Sequence, residues 1–164
     1  MASEIERKYL VNHQIWSTVK PKNGVLIVQG YLVNDSQKSV RIRIAGDRGF
    51  LTIKGGLEGN LRQEFEYNIP VEDAKILLDQ FSESSISKIR YKLSYGDRVI
   101  EVDEFLGDNE GLIIAEIELY AVEEQPELPN WITEEVTYDK RYYNVYLTNF
   151  PYKSWEINKI RSTN

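Results

Sequence analysis

The chain of 164 residues has no cysteine and one histidine. Without thiols there is no disulfide framework, no thiolate metal site and no cysteine nucleophile. Nothing therefore argues for secretion, and the cytoplasm is the expected compartment. The lone histidine, His13, reads as a surface or helix-start residue, which disfavours histidine-based acid or metal chemistry. No apolar run approaches the roughly 18 residues that a membrane-spanning helix needs. The acidic start, with Glu4 and Glu6, does not resemble a signal peptide. The formal charge of −6 lacks the basic balance and contiguous basic stripe of a nucleic-acid binder. These absences leave a small-molecule partner, with neither nucleic acid nor membrane, and a single domain over residues 1–164.

What is present is a series of short strands. Period-two alternation marks residues 4–11, 25–33, 40–44, 51–54, 63–69, 86–93, 99–105 and 113–120. Turn-forming clusters such as Asn34-Asp35, Gly46-Asp47-Arg48-Gly49 and Tyr95-Gly96-Asp97 separate several of them and suit hairpins. Helical spacing appears over 71–81, where Val71, Ala74, Leu77, Leu78 and Phe81 share a face behind Pro70. A second helix is expected over 139–147, with Asp139 as its cap. The expected fold is α+β, an eight-stranded antiparallel closed β-barrel with helices packed outside.

One face of these strands carries Glu4, Glu6 and Lys8, then Arg41 and Arg43, Lys54, Arg62, Glu64 and Glu66, Lys88 and Arg90, and Glu116 and Glu118. The opposite face carries Val40, Ile42, Ile44, Leu51, Ile53, Phe65, Tyr67, Ile89, Tyr91, Ile113, Ala115 and Ile117. The alternation alone leaves either face free to be the inner one. Two considerations favour charge inward. The amphipathic helices need an apolar surface to cover, and the charges sort into basic pairs and acidic pairs by strand.

A charged interior costs several kcal/mol per ion unless something binds there. The basic residues Lys8, Arg41, Arg43, Lys54, Lys88 and Arg90 suit a polyphosphate, gripped by guanidinium forks and lysine point charges. Carboxylates would repel that ligand. The conflict resolves if Glu4, Glu6, Glu64, Glu66, Glu116 and Glu118 hold divalent hard cations, magnesium or manganese, that bridge to phosphate.

The elements EIERKYLV, QGYL, VRIRI, LTIKG, RQEFEY, KIRY, EVDEF, AEIEL and EVTYDKRYYN occur in that order across nearly the whole chain. This ordered set resembles the CYTH superfamily, also called triphosphate tunnel metalloenzymes. That superfamily includes class IV adenylyl cyclases, thiamine triphosphatases and bacterial inorganic triphosphatases. The resemblance implies a tunnel that holds a triphosphate, in which Lys8, Arg41, Arg43, Lys54, Lys88 and Arg90 cradle the phosphates. It implies that Glu4, Glu6, Glu116 and Glu118 are the main metal ligands. Glu64 and Glu66, the catalytic pair beside Lys88 and Arg90, would hold a second metal or orient the attacking water. Arg141, in the C-terminal signature, would be an extra phosphate contact; Arg62, Glu101 and Asp103 are weaker candidates, Asp103 as the orienter of a basic residue. The expected activity is metal-dependent hydrolysis of inorganic triphosphate or a related triphosphate. The alternatives are an adenylyl cyclase acting on ATP, a non-catalytic polyphosphate-binding module, and a purely structural barrel. A homodimer is compatible with any of them.

Overall fold

A computed structural model describes residues 5–56 and 62–155 of the chain, without the side chain of Arg62. Strand β1 (Ile5–Val11) leads into helix α1 (His13–Val19), followed by β2 (Val25–Asn34), β3 (Lys38–Ala45), β4 (Arg48–Gly56) and β5 (Arg62–Ile69). Helix α2 (Val71–Phe81), β6 (Ser85–Tyr95), β7 (Arg98–Phe105), β8 (Ile113–Leu119), β9 (Ile132–Glu135) and α3 (Asn144–Asn149) complete the order. Glu4 lies outside the described residues.

The strands hydrogen-bond in the order β5-β4-β3-β2-β6-β7-β8-β1-β9. The expected eight-stranded closed barrel is therefore corrected in two respects. There are nine strands, and among the described residues no hydrogen-bonded pairing closes the sheet on itself. β9 is the physical reason at one end. It pairs with the second edge of β1, Tyr9 with Glu135 and Val11 with Ile132, and so occupies backbone groups that a closing strand would need.

Chain contacts divide the molecule into two compact units, Val25–Lys88 and Met1–Gly24 with Ile89–Asn164, and β6 runs from one into the other. In the Val25–Lys88 unit, β2 to β5 form an antiparallel meander and α2 packs on β2, β3 and β4. Two glycines permit that approach. A Cβ on Gly49 would sit 3.0 Å from the Cβ of Ala74, and one on Gly30 would sit 3.1 Å from a Leu78 methyl. Between them Ile42 is fully buried. Pro70 occupies the cap position of α2, and Glu72 and Asp73 place negative charge in its first turn, where the helix dipole favours it. Because α2 covers the face of Gly30, Ile42 and Gly49, the alternate residues Arg41, Arg43, Thr52 and Lys54 lie on the other face.

The other unit builds its core from one face of β1, β7 and β8. Tyr9, Val11, Ile100, Val102, Ala115, Ile117 and Leu119 pack with Trp16, Tyr91, Trp131 and Ile132. Trp16 comes from α1, which is capped by Asn12: its side chain accepts from the Ile15 amide at 3.0 Å. The Trp16 ring meets Tyr91 edge-on at 5.8 Å and Trp131 at 5.0 Å, contacts that add to the area term of aromatic burial. Period two then puts Glu6, Lys8, Glu101, Glu116 and Glu118 on the face opposite this core. No helix among the described residues is long and apolar enough to cross a membrane.

The second expected helix, over 139–147, is divided. A 3-10 turn at Lys140–Tyr142, capped by the Asp139 carboxylate, precedes α3. Tyr143 is extended between them, so the apolar spacing of Tyr142 and Tyr146 spans a break.

Candidate functional site

In the Val25–Lys88 unit the register sets charged and polar residues in rows across neighbouring strands. Gln29, Arg43, Phe50 and Asn68 form one row; Tyr31, Arg41, Thr52 and Glu66 form the next; Ser39, Lys54 and Glu64 form the third. Side chains at directly opposed positions meet. Thr52 Oγ1 donates to Glu66 Oε1 at 2.8 Å and accepts a long bond from Arg41 Nη2 at 3.4 Å. Arg41 and Glu66 themselves stand 3.9 Å apart, as do Lys54 and Glu64. Arg43 Nε donates to Gln29 Oε1 at 3.1 Å. Gln29 and Thr52 are each 1% exposed. Their neutrality hides them from a search for charged motifs, although both alternate in register with the arginines.

Two buried donors in this unit, Arg41 Nε and Gln29 Nε2, have no hydrogen-bond partner among the described residues. A buried unsatisfied donor costs about 1–3 kcal/mol. An anionic oxygen placed against the Arg41 row would relieve that cost, so the row fits a phosphate. Lys88, in the described part of β6, is buried and already engaged by neighbours.

In the other unit, β1 and β8 pair Glu6 with Glu118 and Lys8 with Glu116, and β7 sets Glu101 beside Glu116. Lys8 Nζ lies 3.7 Å from Glu116 Oε1 and 4.9 Å from the centre of the Tyr143 ring. Tyr143 belongs to the C-terminal signature, which folds back along β1. The Val136 amide donates to the Lys8 carbonyl at 2.7 Å, the Lys8 amide donates to Thr137 Oγ1 at 3.1 Å, and Tyr143 Oη donates to the Thr137 carbonyl. A cavity of about 280 Å³ is lined by Glu6, Glu101, Glu116 and Glu118 with Asp97, Arg98, Val99 and Tyr120. Its donors are oxygens, the set that magnesium and manganese prefer. Among the described residues no three carboxylates already stand at ligand spacing; the fit rests on the oxygen chemistry of the lining.

Arg90 is clamped from two sides. Its Nε and Nη2 donate to the two Asp103 oxygens at 2.7 Å and 2.9 Å, and its Nη1 reaches Glu101 at 2.8 Å. Burial pulls the Arg90 pKa down, but the Asp103 hydrogen bonds and the charges of Asp103, Glu101 and Glu116 outweigh it and raise it. Arg141 pairs with Asp139 through contacts of 2.6–3.2 Å and lies over the Tyr142 and Trp155 rings, with its side chain 57% exposed. His13 opens α1.

The strand faces thus carry rows of cations and a set of carboxylates, within an antiparallel sheet flanked by helices. The chain matches the CYTH domain over residues 2–144, and it belongs to the CYTH family. It is 45% identical over 157 residues to an inorganic triphosphatase of Acetivibrio thermocellus, covering 95% of this chain and 99% of that one. It is 34% identical over 147 residues to an inorganic triphosphatase of Nitrosomonas europaea, covering 87% and 94%. A crystal structure of an inorganic triphosphatase superposes with a TM-score of 0.67 at 33% identity, covering 90% of this chain and 95% of that one.

Proposed function

We propose that this protein is a metal-dependent triphosphatase, which releases orthophosphate from inorganic triphosphate or a related triphosphate-bearing compound. The observation that carries the reading is the row Arg41–Thr52–Glu66, where an arginine with an unpartnered buried donor stands one residue from a carboxylate that accepts from the threonine between them. The names of relatives at 45% and 34% identity support it.

In this reading Arg41, Arg43, Lys54 and Lys88, within Val25–Lys88, and Lys8 and Arg90, outside it, neutralise phosphate oxygens, with Arg141 as an outer contact. Guanidinium groups fix the tail by paired donation, and the lysines act as point charges. Glu6, Glu116 and Glu118, together with Glu4, would hold a magnesium or manganese ion, and Glu64 and Glu66 would hold a second or orient water. A divalent ion held there would supply positive charge for the phosphates and lower the pKa of a bound water. Water attacks the terminal phosphorus in line as the bond to the bridging oxygen breaks. Its proton passes to a carboxylate, proposed to be Glu66 through Oε2, because Oε1 is engaged by Thr52. The departing diphosphate takes the bond electrons, and the basic side chains stabilise that growing charge.

The test is phosphate release from tripolyphosphate with magnesium or manganese, with chelated and metal-free controls. Orthophosphate and diphosphate in equal amounts, lost on chelation, are expected. No release with either metal would sink the proposal, and cyclic AMP with diphosphate from ATP would replace it with cyclase chemistry.

A further inference from the structure

Thr52 lies between the two groups to which the triphosphatase reading gives opposite tasks, the anion-gripping Arg41 and the water-handling Glu66, and the inference rests on that reading. The three are direct cross-strand neighbours on β3, β4 and β5, and Thr52 is 1% exposed. An arginine only donates hydrogen bonds, and a hydroxyl has one proton. The 3.4 Å contact from Arg41 Nη2 therefore takes a lone pair of Thr52 Oγ1, and the hydroxyl proton points to Glu66 Oε1 at 2.8 Å. The direction of donation runs one way, from Arg41 through Thr52 to Glu66.

Two consequences follow from this chain. One oxygen of Glu66 is engaged, which restrains a carboxylate whose side chain is otherwise 48% exposed. Arg41 and Glu66 also stay 3.9 Å apart, beyond hydrogen-bond distance. Arg90 differs, being joined to Asp103 at 2.7 Å and 2.9 Å. Arg41 keeps a buried Nε without a partner among the described residues, a donor left for an incoming oxygen.

We infer that Thr52 is a positioning residue for the hydrolysis: its hydroxyl orients Glu66 and keeps the Arg41–Glu66 ion pair, at 3.9 Å, from closing into a direct hydrogen-bonded one. It touches neither the metal nor the phosphorus. Valine matches threonine in shape and lacks the hydroxyl, so Thr52→Val leaves Glu66 to swing or to collapse onto Arg41.

The experiment measures kcat and KM for tripolyphosphate with saturating magnesium in the full chain, for wild type, T52V, T52S, E66Q and the T52V/E66Q double variant. T52V is expected to lower kcat on the order of tenfold or more, the worth of one charge-assisted hydrogen bond, with KM changed less than about threefold. T52S, which keeps the hydroxyl, restores kcat to within about threefold, and T52V adds no further loss in the E66Q background. A T52V enzyme with wild-type kcat, a change confined to KM, or an equal loss with and without Glu66 would overturn the inference. If T52V fails to fold by circular dichroism, T52A carries the same comparison. A wild type that releases no phosphate overturns the triphosphatase reading itself, an outcome distinct from any of these.

Discussion

The Arg90 guanidinium meets the Asp103 carboxylate through two parallel hydrogen bonds of 2.7 Å and 2.9 Å, and Asp103 is 2% exposed. With Glu101 also at 2.8 Å, the guanidinium is held in place by two carboxylates. Breaking such a partly buried pair leaves one charge behind, which costs on the order of 3 kcal/mol. Asp103→Asn is expected to lower the Tm by several degrees, read by thermal melting. An unchanged melt would mean that Glu101 alone holds Arg90.

Glu66 is expected to matter for turnover more than for binding. Glu66→Gln should lower kcat about a hundredfold, the lower range for loss of a proton-transfer group. KM should stay within about threefold of wild type, because glutamine preserves the shape and accepts from Thr52. Full turnover in Glu66→Gln at saturating magnesium would remove Glu66 from the chemistry.

Lys8 is close to an anion, a ring and the C-terminal signature at once. Lys8→Ala removes a point charge that the proposed mechanism assigns to phosphate, and it frees Glu116 of its counter-ion. A fall in kcat/KM of about tenfold or more is expected in steady-state assays. An identical kcat/KM would leave Lys8 as a structural partner of Glu116 alone.

Donation from Arg141 holds the Asp139 carboxyl below its ordinary value of 3.8, against a smaller opposing effect of burial. A carboxyl lowered by folding stabilises in full above its unfolded value and loses that contribution as pH falls through its folded value. The Tm difference between wild type and Asp139→Asn should therefore be level above about pH 5 and shrink below 3.8. Because the pair is largely solvated, the difference should be small and weaken with salt. A difference that grew on acidification would contradict the sign.

Much of this was legible in the sequence because period-two alternation needs no partner to be seen. Helix α2 occupies Val71–Phe81 as its apolar spacing predicts, and the strands begin and end within a few residues of the alternation. β9 was not legible: Ile132–Glu135 is four residues, too short to alternate visibly, and exists because β1 offers it an edge. Helix α1 is two turns long, and in the sequence only His13, read as a surface or helix-start residue, touches on it. The parts of the candidate site that escaped notice depend on register. Thr52 and Gln29 become partners of Arg41 and Arg43 only when β4 and β2 align beside β3. The strand faces place Arg90 among the cations, yet its clamp by Asp103 and Glu101 emerges only from the folded chain.

Trp16, packed against Tyr91 and Trp131, gives the molecule an internal reporter. The chain's three tryptophans are Trp16, Trp131 and Trp155, all outside Val25–Lys88. Indole emission during denaturation therefore follows one compact unit and is silent on the unit that carries Arg41, Thr52 and Glu66. Circular dichroism follows both. Coincident curves from the two probes would mark one cooperative transition, and separated curves would mark two.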